Sequence, residues 1–131
     1  MEIQIRFGKG QKVDALFNGF QVKTDQPIDS GGDGTAPEPF SLFLSSIGTC
    51  TGIYVLRFCQ QRKINTDDIS IGMHVAWNKE KKLIDTIDFT IKTGKDFPDK
   101  YKKAVISAAK LCTVKRVLED PPNINITVIK D

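Results

Sequence analysis

The sequence is poor in the residues and patterns that characterise several large classes of protein. Its 131 residues include only three cysteines, one histidine and one tryptophan, and its net charge is +3. Three cysteines are too few for a disulfide framework. The scattered basic residues exclude the positive stripe of a nucleic-acid-binding protein. No continuous apolar run approaches the roughly 18 residues of a membrane-spanning helix, so we expect neither a nucleic-acid nor a membrane partner.

What remains is an ordinary globular composition, with 40% hydrophobic and 27% charged residues. This composition and length predict a single domain over residues 1–131. The first residues, MEIQIR, alternate as a strand does and do not have the basic and apolar regions of a signal peptide. We therefore expect the protein to be cytoplasmic, where cysteines are buried small residues or take part in chemistry.

The first 60 residues predict a small sheet, a loop and a long helix. Alternating apolar residues over the first 24 positions, with the turn signal Asn18-Gly19, predict an antiparallel meander. Residues 25–39, rich in glycine, proline and aspartate, predict a long loop. Residues 40–62 predict a helix that is apolar on nearly all faces and therefore buried. So short a chain cannot cover that helix, which indicates a second subunit.

The second half predicts a hairpin, two helices and a last strand. Apolar residues alternate over 69–77 and again over 87–91, as in two long strands of a β-hairpin. A helix is expected from Phe97-Pro98 to about Cys112, and a short one over 113–119 before two prolines. The alternating apolar residues of 124–128 predict a terminal strand. The fold class is therefore α+β.

The glycine-rich segment Ser30–Thr35 resembles a phosphate-binding loop only in part. It lacks the Gly-Lys-Ser/Thr end of a Walker loop and the third glycine of a dinucleotide fingerprint, and it does not join a strand directly to a helix. A flexible loop whose glycines allow close backbone approach is the better interpretation.

Two cysteines are candidates for chemistry. Cys50 lies mid-helix between Gly48 and Gly52, which leave space for a substrate or for another backbone; the alternative is a buried filler. Cys112 precedes Lys115 and Arg116, which share a face with its sulfur if the turn is helical and would favour the thiolate. The alternative for Cys112 is an exposed basic turn.

The remaining cysteine and the histidine are expected to be dispensable. Cys59 lies nearly half a helical turn from Cys50 among apolar residues, which places it in the core. His74 lies on the polar face of a strand and is expected to be exposed, although a Cys-His pair stays possible on sequence alone. Cys50, Cys112 and His74 are numerous enough to be the ligands of a zinc ion, but their spacing matches no metal-binding motif. We predict no metal and no cofactor.

Two segments together resemble the OsmC/Ohr family. The segment APEPFSLFLSSIGTC, ending at Cys50, is similar to the family's first-cysteine signature, in which a glycine-rich loop and a proline precede a helix of leucine and small residues. The segment AKLCTVKRVL, around Cys112, resembles its second-cysteine segment. The predicted meander and hairpin also match the family's layout, so the resemblance covers essentially the whole chain.

The resemblance implies an OsmC-like fold and an intertwined homodimer with the long helices in its middle. It also implies two active sites at the subunit interface, each built around a cysteine pair. In the family's peroxidases the first cysteine attacks a hydroperoxide and the second resolves the sulfenic acid. By position these are Cys50 and Cys112, and a dithiol reductant then reopens their disulfide.

The chain departs from the family pattern at two positions. Members that confer resistance to organic hydroperoxides carry a glutamate where Phe40 stands here, while Glu38 lies before the proline. The arginine that activates the thiolate in those members has no clear counterpart, since Arg6 lies early in the chain. The sequence therefore predicts a divergent thiol peroxidase. The alternatives are a protein that binds a small molecule in an apolar cleft and a thiol–disulfide exchange protein.

Overall fold

The computed structural model describes residues 1–130 and divides them into two compact units. The first unit is Met1–Ser46, and the second begins at Ile47. The strands and helices follow the predicted order: β1 Gln4–Phe7, β2 Val13–Phe17, β3 Phe20–Val22, α1 Pro39–Gln61, β4 Ser70–Asn78, β5 Leu83–Lys92, α2 Lys102–Ala109 and α3 Thr113–Glu119.

The first unit contains the predicted meander, a three-stranded antiparallel sheet in the order β1-β2-β3. Its second turn has positive φ at both Asn18 (48°) and Gly19 (79°), as the tight hairpin turn signalled by these residues requires. The register places Ile5 opposite Ala15, and Ala15 opposite Val22. Since side chains alternate across a strand, one face of this sheet is apolar: Ile5, Phe7, Val13, Ala15, Phe17, Phe20 and Val22.

The long loop after β3 is organised around one buried carboxylate. Asp25 is fully buried and accepts hydrogen bonds from the backbone N–H of Gln26 at 2.8 Å and from the N–H and hydroxyl of Thr35 at 3.0 and 2.7 Å. The Lys12 ammonium lies 3.7 Å from it. The backbone of Gly32 approaches so closely that a Cβ there would lie 1.9 Å from the Gln26 carbonyl oxygen. Close approach by a loop glycine was predicted.

The second unit contains the core of the protein. The β4–β5 hairpin pairs antiparallel from Ser70 opposite Lys92 to Asn78 opposite Leu83, with a bulge between Ala76 and Trp77. The buried residues of the core come from α1, from the turn before α2 and from α2 itself: Val55, Phe58, Cys59, Phe97 and Val105. Ile71 and Ile91 of the hairpin pack against this cluster. The predicted place of Cys59 in the core is therefore confirmed.

Helix α1 is less covered than a core helix usually is. Its most apolar window has a mean hydropathy of 1.4, and only 28% of that window is buried. By its length and composition alone, α1 could cross a membrane. The core helix of a soluble protein meets the same criteria. The sequence of α1 has no long continuous apolar run, because serine, threonine and glycine interrupt it, but these residues lower the mean hydropathy little.

The predicted terminal strand does not form. Residues 121–130 have no regular secondary structure, and Ile124, Ile126 and Val128 are 84, 89 and 93% exposed. A strand needs a neighbouring strand to satisfy its backbone N–H and C=O groups, and the sheets of this chain do not extend to this segment. The alternating pattern is present, but none of the strands within residues 1–130 pairs with it.

We expect Asp25→Asn to destabilise the protein, because the amide cannot replace a carboxylate that accepts three hydrogen bonds and faces an ammonium. These hydrogen bonds, above all the one from the Thr35 backbone N–H, hold the pKa of Asp25 far below its usual range. A lowered folded-state pKa means that the stabilisation is complete above about pH 4 and is lost as the pH falls below it. In thermal unfolding, the difference in Tm between wild type and Asp25→Asn should be smaller at pH 3 than at pH 7. The exposed Asp29→Asn is the control, and an equal effect of both substitutions would contradict the role of Asp25.

Candidate active site

One stripe of α1 faces the junction between α2 and α3. Ile47, Cys50, Thr51 and Tyr54 lie three or four residues apart and so share one side of the helix. The Tyr54 hydroxyl lies 3.0 Å from Oγ1 of Thr113, the first residue of α3. This contact ties the start of α3 to the stripe.

Cys112 lies at that junction, as predicted. It precedes the first residue of α3, and its residue surface is 0% exposed. Its sulfur accepts a hydrogen bond from the backbone N–H of Lys115 at 3.5 Å. The Sγ atom also lies 4.0 Å from the Ile47 carbonyl oxygen on α1, which can accept the thiol proton. The fold therefore seals this sulfur between α1 and α3.

The structure brings the two predicted site cysteines together. The Cys112 sulfur lies 4.0 Å from the carbonyl oxygen of Ile47, which shares one side of α1 with Cys50 and Thr51, and the side chains of both lower the pKa of Cys112. Cys50 is half-buried while Cys112 is fully buried, and neither is in a disulfide. A Cβ at Gly52 would meet no atom within 4 Å, whereas a Cβ at Gly48 would lie 3.9 Å from the Met73 sulfur, so open space is found at one of the two glycines that flank Cys50. The pair therefore consists of one accessible and one enclosed thiol.

The Cys112 thiol ionises more easily than an ordinary cysteine. Burial alone would raise the pKa of Cys112, since it disfavours the thiolate. The hydrogen bonds from the backbone N–H groups of Lys115 and Val114 and from the side chains of Cys50 and Thr51 outweigh it. The net result is a pKa of Cys112 below its usual value of 9.0.

The source that we expected for the lowered pKa of Cys112 was wrong. We predicted that the positive charges of Lys115 and Arg116 would favour the thiolate. Lys115 acts through its backbone N–H, and its ammonium forms an ion pair of 2.6 Å with Glu119, one turn further along α3. Arg116 is exposed. The alternative of an exposed basic turn is also wrong for Cys112 itself.

A mainly apolar cavity of about 800 Å³ within the second unit is lined by neighbours of Cys112, but by neither Cys50 nor Cys112 itself. Ile47, Thr51 and Lys115, three residues in contact with Cys112, form part of its wall. The rest of the wall is mainly aliphatic and aromatic, and comes from β5, α2 and α3: Ile84, Ile87, Phe89, Val105, Ile106 and Leu118. This size and lining suit a small organic molecule.

The other candidate residues lie outside this site. Cys59 is in the core, where burial raises the pKa of its thiol despite the positive charge of Arg62. His74 is exposed on β4, opposite Asp88 of β5. In the part of the chain that the structure describes, no group of three or more histidine, cysteine or acidic residues is placed to hold a metal ion.

Thr51 and Tyr54 are the site residues that the sequence analysis did not single out. Both lie one helical turn or less from Cys50, so a search for polar residues on the cysteine's own face would have found them. Their partners on α3 could not be found this way, because they lie about 60 residues further along the chain.

Comparison with known proteins identifies the fold. An OsmC like protein from Mycoplasma pneumoniae is 13% identical with a TM-score of 0.71, covering 92% of this chain and 87% of that one. An organic hydroperoxide resistance protein OsmC from Legionella pneumophila is 18% identical with a TM-score of 0.57, covering 89% and 87%. The organic hydroperoxide resistance protein OhrB of Bacillus subtilis is 15% identical with a TM-score of 0.56, covering 92% and 90%. These likenesses establish an α+β fold of the OsmC-like kind.

The family follows from the sequence itself. The model of the OsmC-like protein family matches residues 32–127, which include both cysteines of the site. The chain therefore belongs to the OsmC-like protein family, as the two cysteine segments predicted. No curated protein gives a sequence match to this chain.

We expect Cys59→Ala and His74→Ala to leave the reactivity of the Cys50–Cys112 pair unchanged. Cys59→Ala should lower the free energy of unfolding by about 1 kcal/mol, because it removes a sulfur from the core. His74→Ala should leave stability within about 0.5 kcal/mol of wild type, as for other exposed positions. Denaturant unfolding and alkylation rates of the remaining thiols would test both. If His74→Ala altered the reactivity of the thiols, the prediction would be wrong and the alternative of a Cys-His pair would be supported.

Proposed function

We propose that this protein is a thiol-dependent peroxidase that reduces organic hydroperoxides with Cys50 and Cys112. The observation that carries the proposal is the position of the buried Cys112 sulfur, 4.0 Å from the Ile47 carbonyl oxygen on the side of α1 that also carries the half-buried Cys50. A peroxidase of this kind needs a thiolate, access for the peroxide and a second thiol within reach. The pair offers all three.

Cys50 is the attacking residue and Cys112 the resolving residue in this proposal. Because Cys50 is the more accessible of the two, it is the thiol that a peroxide can meet. Its proton passes to the neighbouring Cys112 thiolate as the Cys50 sulfur attacks the O–O bond. The sulfur is oxidised to sulfenic acid, and the departing alkoxide takes the proton from Cys112 and leaves as an alcohol.

The second step forms the disulfide. The Cys112 thiolate, regenerated by the loss of that proton, attacks the sulfenic sulfur of Cys50 and displaces hydroxide, which takes a proton from solvent and leaves as water. The peroxide has then gained two electrons from the two cysteines. A dithiol reductant must supply two electrons and two protons to reopen the disulfide by exchange. We further propose that this cycle runs in the cytoplasm, where such reductants are maintained.

The apolar cavity supports an organic substrate rather than hydrogen peroxide. Its wall is largely hydrocarbon, and Thr51 links it to the Cys112 sulfur. An alkyl group bound there would lose its contact with water, which favours binding by about 25 cal/mol per Å² of buried apolar surface. The names of the Legionella and Bacillus relatives point to the same class of peroxide.

The same cavity supports the second candidate function, which is the binding of an apolar molecule with no role for the thiols. A volume of about 800 Å³ lies in the range of ordinary ligand sites. Peroxide consumption separates the two functions, since a binding protein retains its ligand without oxidising Cys50.

The protein is proposed to act as a homodimer. The apolar face of the first sheet includes Ile5, Phe7 and Phe20, which are 56, 88 and 68% exposed. Helix α1 is mostly unburied, and the alternating segment 124–128 has no strand beside it. Exposed apolar surface of this extent is typical of an interface. A second copy that presents the same surfaces would cover them by symmetry.

We expect wild-type protein at micromolar concentration to have twice the mass of one chain by light scattering. Ile5→Lys should weaken or abolish the dimer, because it places a charge on the apolar face of β1. Gln4→Lys adds the same charge to the opposite face of the same strand and should leave the dimer intact. A monomeric wild type, or equal effects of both substitutions, would contradict the proposed interface.

Treatment with a small excess of an organic hydroperoxide should convert Cys50 and Cys112 to one intrachain disulfide. Cys50→Ser should abolish peroxide consumption, because the attacking sulfur is gone. Cys112→Ser should instead let Cys50 proceed to the sulfinic acid, because no thiol resolves its sulfenic acid. Peptide mass mapping without reduction distinguishes these products. An unmodified Cys50, or a Cys50–Cys59 disulfide, would overturn the mechanism and favour the binding protein.

A further inference from the structure

The short helix α3 forms part of the outer wall of the apolar cavity. It contributes Lys115 and Leu118, which lie three residues apart and so share one side of the helix. Leu118 is nevertheless 47% exposed, and the Lys115 side chain is 48% exposed. Arg116 and Val117, which do not line the cavity, are exposed as well. Helix α3 therefore separates this side of the cavity from water.

Within residues 1–130, the polar contacts between α3 and other elements are made at its start. Cys112 precedes the helix and is fully buried, with its Sγ atom 4.0 Å from the Ile47 carbonyl oxygen of α1. The next residue, Thr113, has its Oγ1 atom 3.0 Å from the Tyr54 hydroxyl. These two contacts fix the beginning of α3 on α1.

The carboxyl end of α3 has no such attachment in the described chain. The Lys115 ammonium pairs with Glu119 of the same helix, and the Asp120 N–H donates to the Arg116 carbonyl oxygen at 3.1 Å. Both contacts stay inside the helix or its cap. Residues 121–130, which follow, have no regular secondary structure. Neither the helix nor the chain after it therefore holds this end in place.

Helix α3 also lacks the burial that stabilises its neighbour. Helix α2 buries Val105 in the core, whereas none of the seven residues of α3 is buried. A helix of this length is not stable in water without packing. Segments with few buried apolar contacts open locally at a lower free energy than the core does. Helix α3 is thus expected to open before α2.

The junction before α3 has the geometry of a hinge. Helix α2 ends at Ala109 and α3 begins at Thr113, so the two are not continuous. Between them, Cys112 has non-helical backbone angles, with φ −47° and ψ 122°. Hinges are commonly a few residues at the ends of such elements. A rotation here would move α3 and leave its buried anchor, Cys112, in place.

We propose that α3 is a lid on the cavity, hinged at Cys112 and Thr113, whose opening admits an organic molecule. When the lid opens, Lys115 and Leu118 leave the wall, while α1, β5 and α2 keep theirs. The lid controls entry to the cavity and does not depend on whether the molecule that enters is a hydroperoxide.

Amide hydrogen exchange of the full-length protein, measured by mass spectrometry on peptides from α2 and α3, tests the opening. Helix α3 should exchange roughly tenfold faster than α2, or more. Tyr54→Phe removes the hydroxyl that contacts Thr113. It should speed exchange in α3 about fivefold, which corresponds to the loss of one hydrogen bond of about 1 kcal/mol, and leave α2 unchanged. Tyr101→Phe removes a hydroxyl from a tyrosine that packs on Phe58 instead, and should change neither helix.

A second measurement follows entry into the cavity, with the fluorescent apolar anion 1-anilinonaphthalene-8-sulfonate in a stopped-flow instrument. Ala109→Trp fills the cavity from α2, so the signal that it abolishes is assigned to the cavity. Ala109→Leu replaces it if Ala109→Trp fails to fold by circular dichroism. The association rate of the cavity signal should rise about fivefold in Tyr54→Phe, because opening precedes entry, and should stay unchanged in Tyr101→Phe.

Three outcomes would overturn the lid. The first is equal exchange in α2 and α3. The second is faster exchange of α3 in Tyr54→Phe without faster entry of the dye, which would show that α3 frays but does not gate the cavity. The third is a wild type in which α3 opens and no dye enters the cavity. Neither measurement uses a peroxide, so a failure of the lid leaves the proposed peroxidase function standing, and an unreactive Cys50 leaves the lid standing.

Discussion

The packing of the α3 start against one stripe of α1 is the contact on which the site depends. It buries the Cys112 sulfur, places it beside Cys50 and Thr51, and is tied by the hydrogen bond between Tyr54 and Thr113. The two cysteines are more than 60 residues apart in the chain, so neither helix alone could form the pair. The short helix α3 has no buried residue of its own, and its position is therefore set by the junction and by this contact.

The chain forms its core and leaves other apolar surfaces open. Val55, Phe58 and Cys59 of α1 are buried against α2 and the hairpin, while Phe40, Phe43 and Ile53 of the same helix are 41, 37 and 38% exposed. The helix is apolar on most of its faces, and this chain buries only one of them. The imbalance visible in the sequence therefore persists in the folded chain, and association with a second copy is the simplest way to remove it.

Local signals predicted most of the architecture. The helix expected over 40–62 is Pro39–Gln61, and the one expected over 113–119 is Thr113–Glu119, because proline and apolar periodicity mark both. The predicted terminal strand did not form, because a strand depends on a neighbouring strand that its own residues cannot specify. The loop over residues 25–39 was predicted, but its hydrogen bonds around Asp25 and the bulge at Ala76–Trp77 were not, because the Asp25–Thr35 contact and cross-strand register are not contained in periodicity.

The site shows the same division between local and long-range information. Cys50 and Cys112 were found from their motifs, and the basic residues after Cys112 drew attention to Lys115. The charge of Lys115 proved to be engaged by Glu119, an i,i+4 pairing that the sequence does contain. What no local pattern could provide was the position of the Cys112 sulfur between the Lys115 N–H and the Ile47 carbonyl oxygen, because that depends on how α1 and α3 meet.

Stabilising a thiolate by hydrogen bonds also affects the reduction of the disulfide. Donors directed at Cys112 favour the reduced, charged form of the pair, and they lose their best acceptor once the sulfur is in a disulfide. An oxidoreductase whose reduced form is stabilised in this way has a disulfide that is reduced more easily. The donors that support the Cys112 thiolate should therefore also help a dithiol to reopen the proposed Cys50–Cys112 disulfide. One arrangement around a single buried sulfur would in this way serve both halves of the proposed peroxidase cycle.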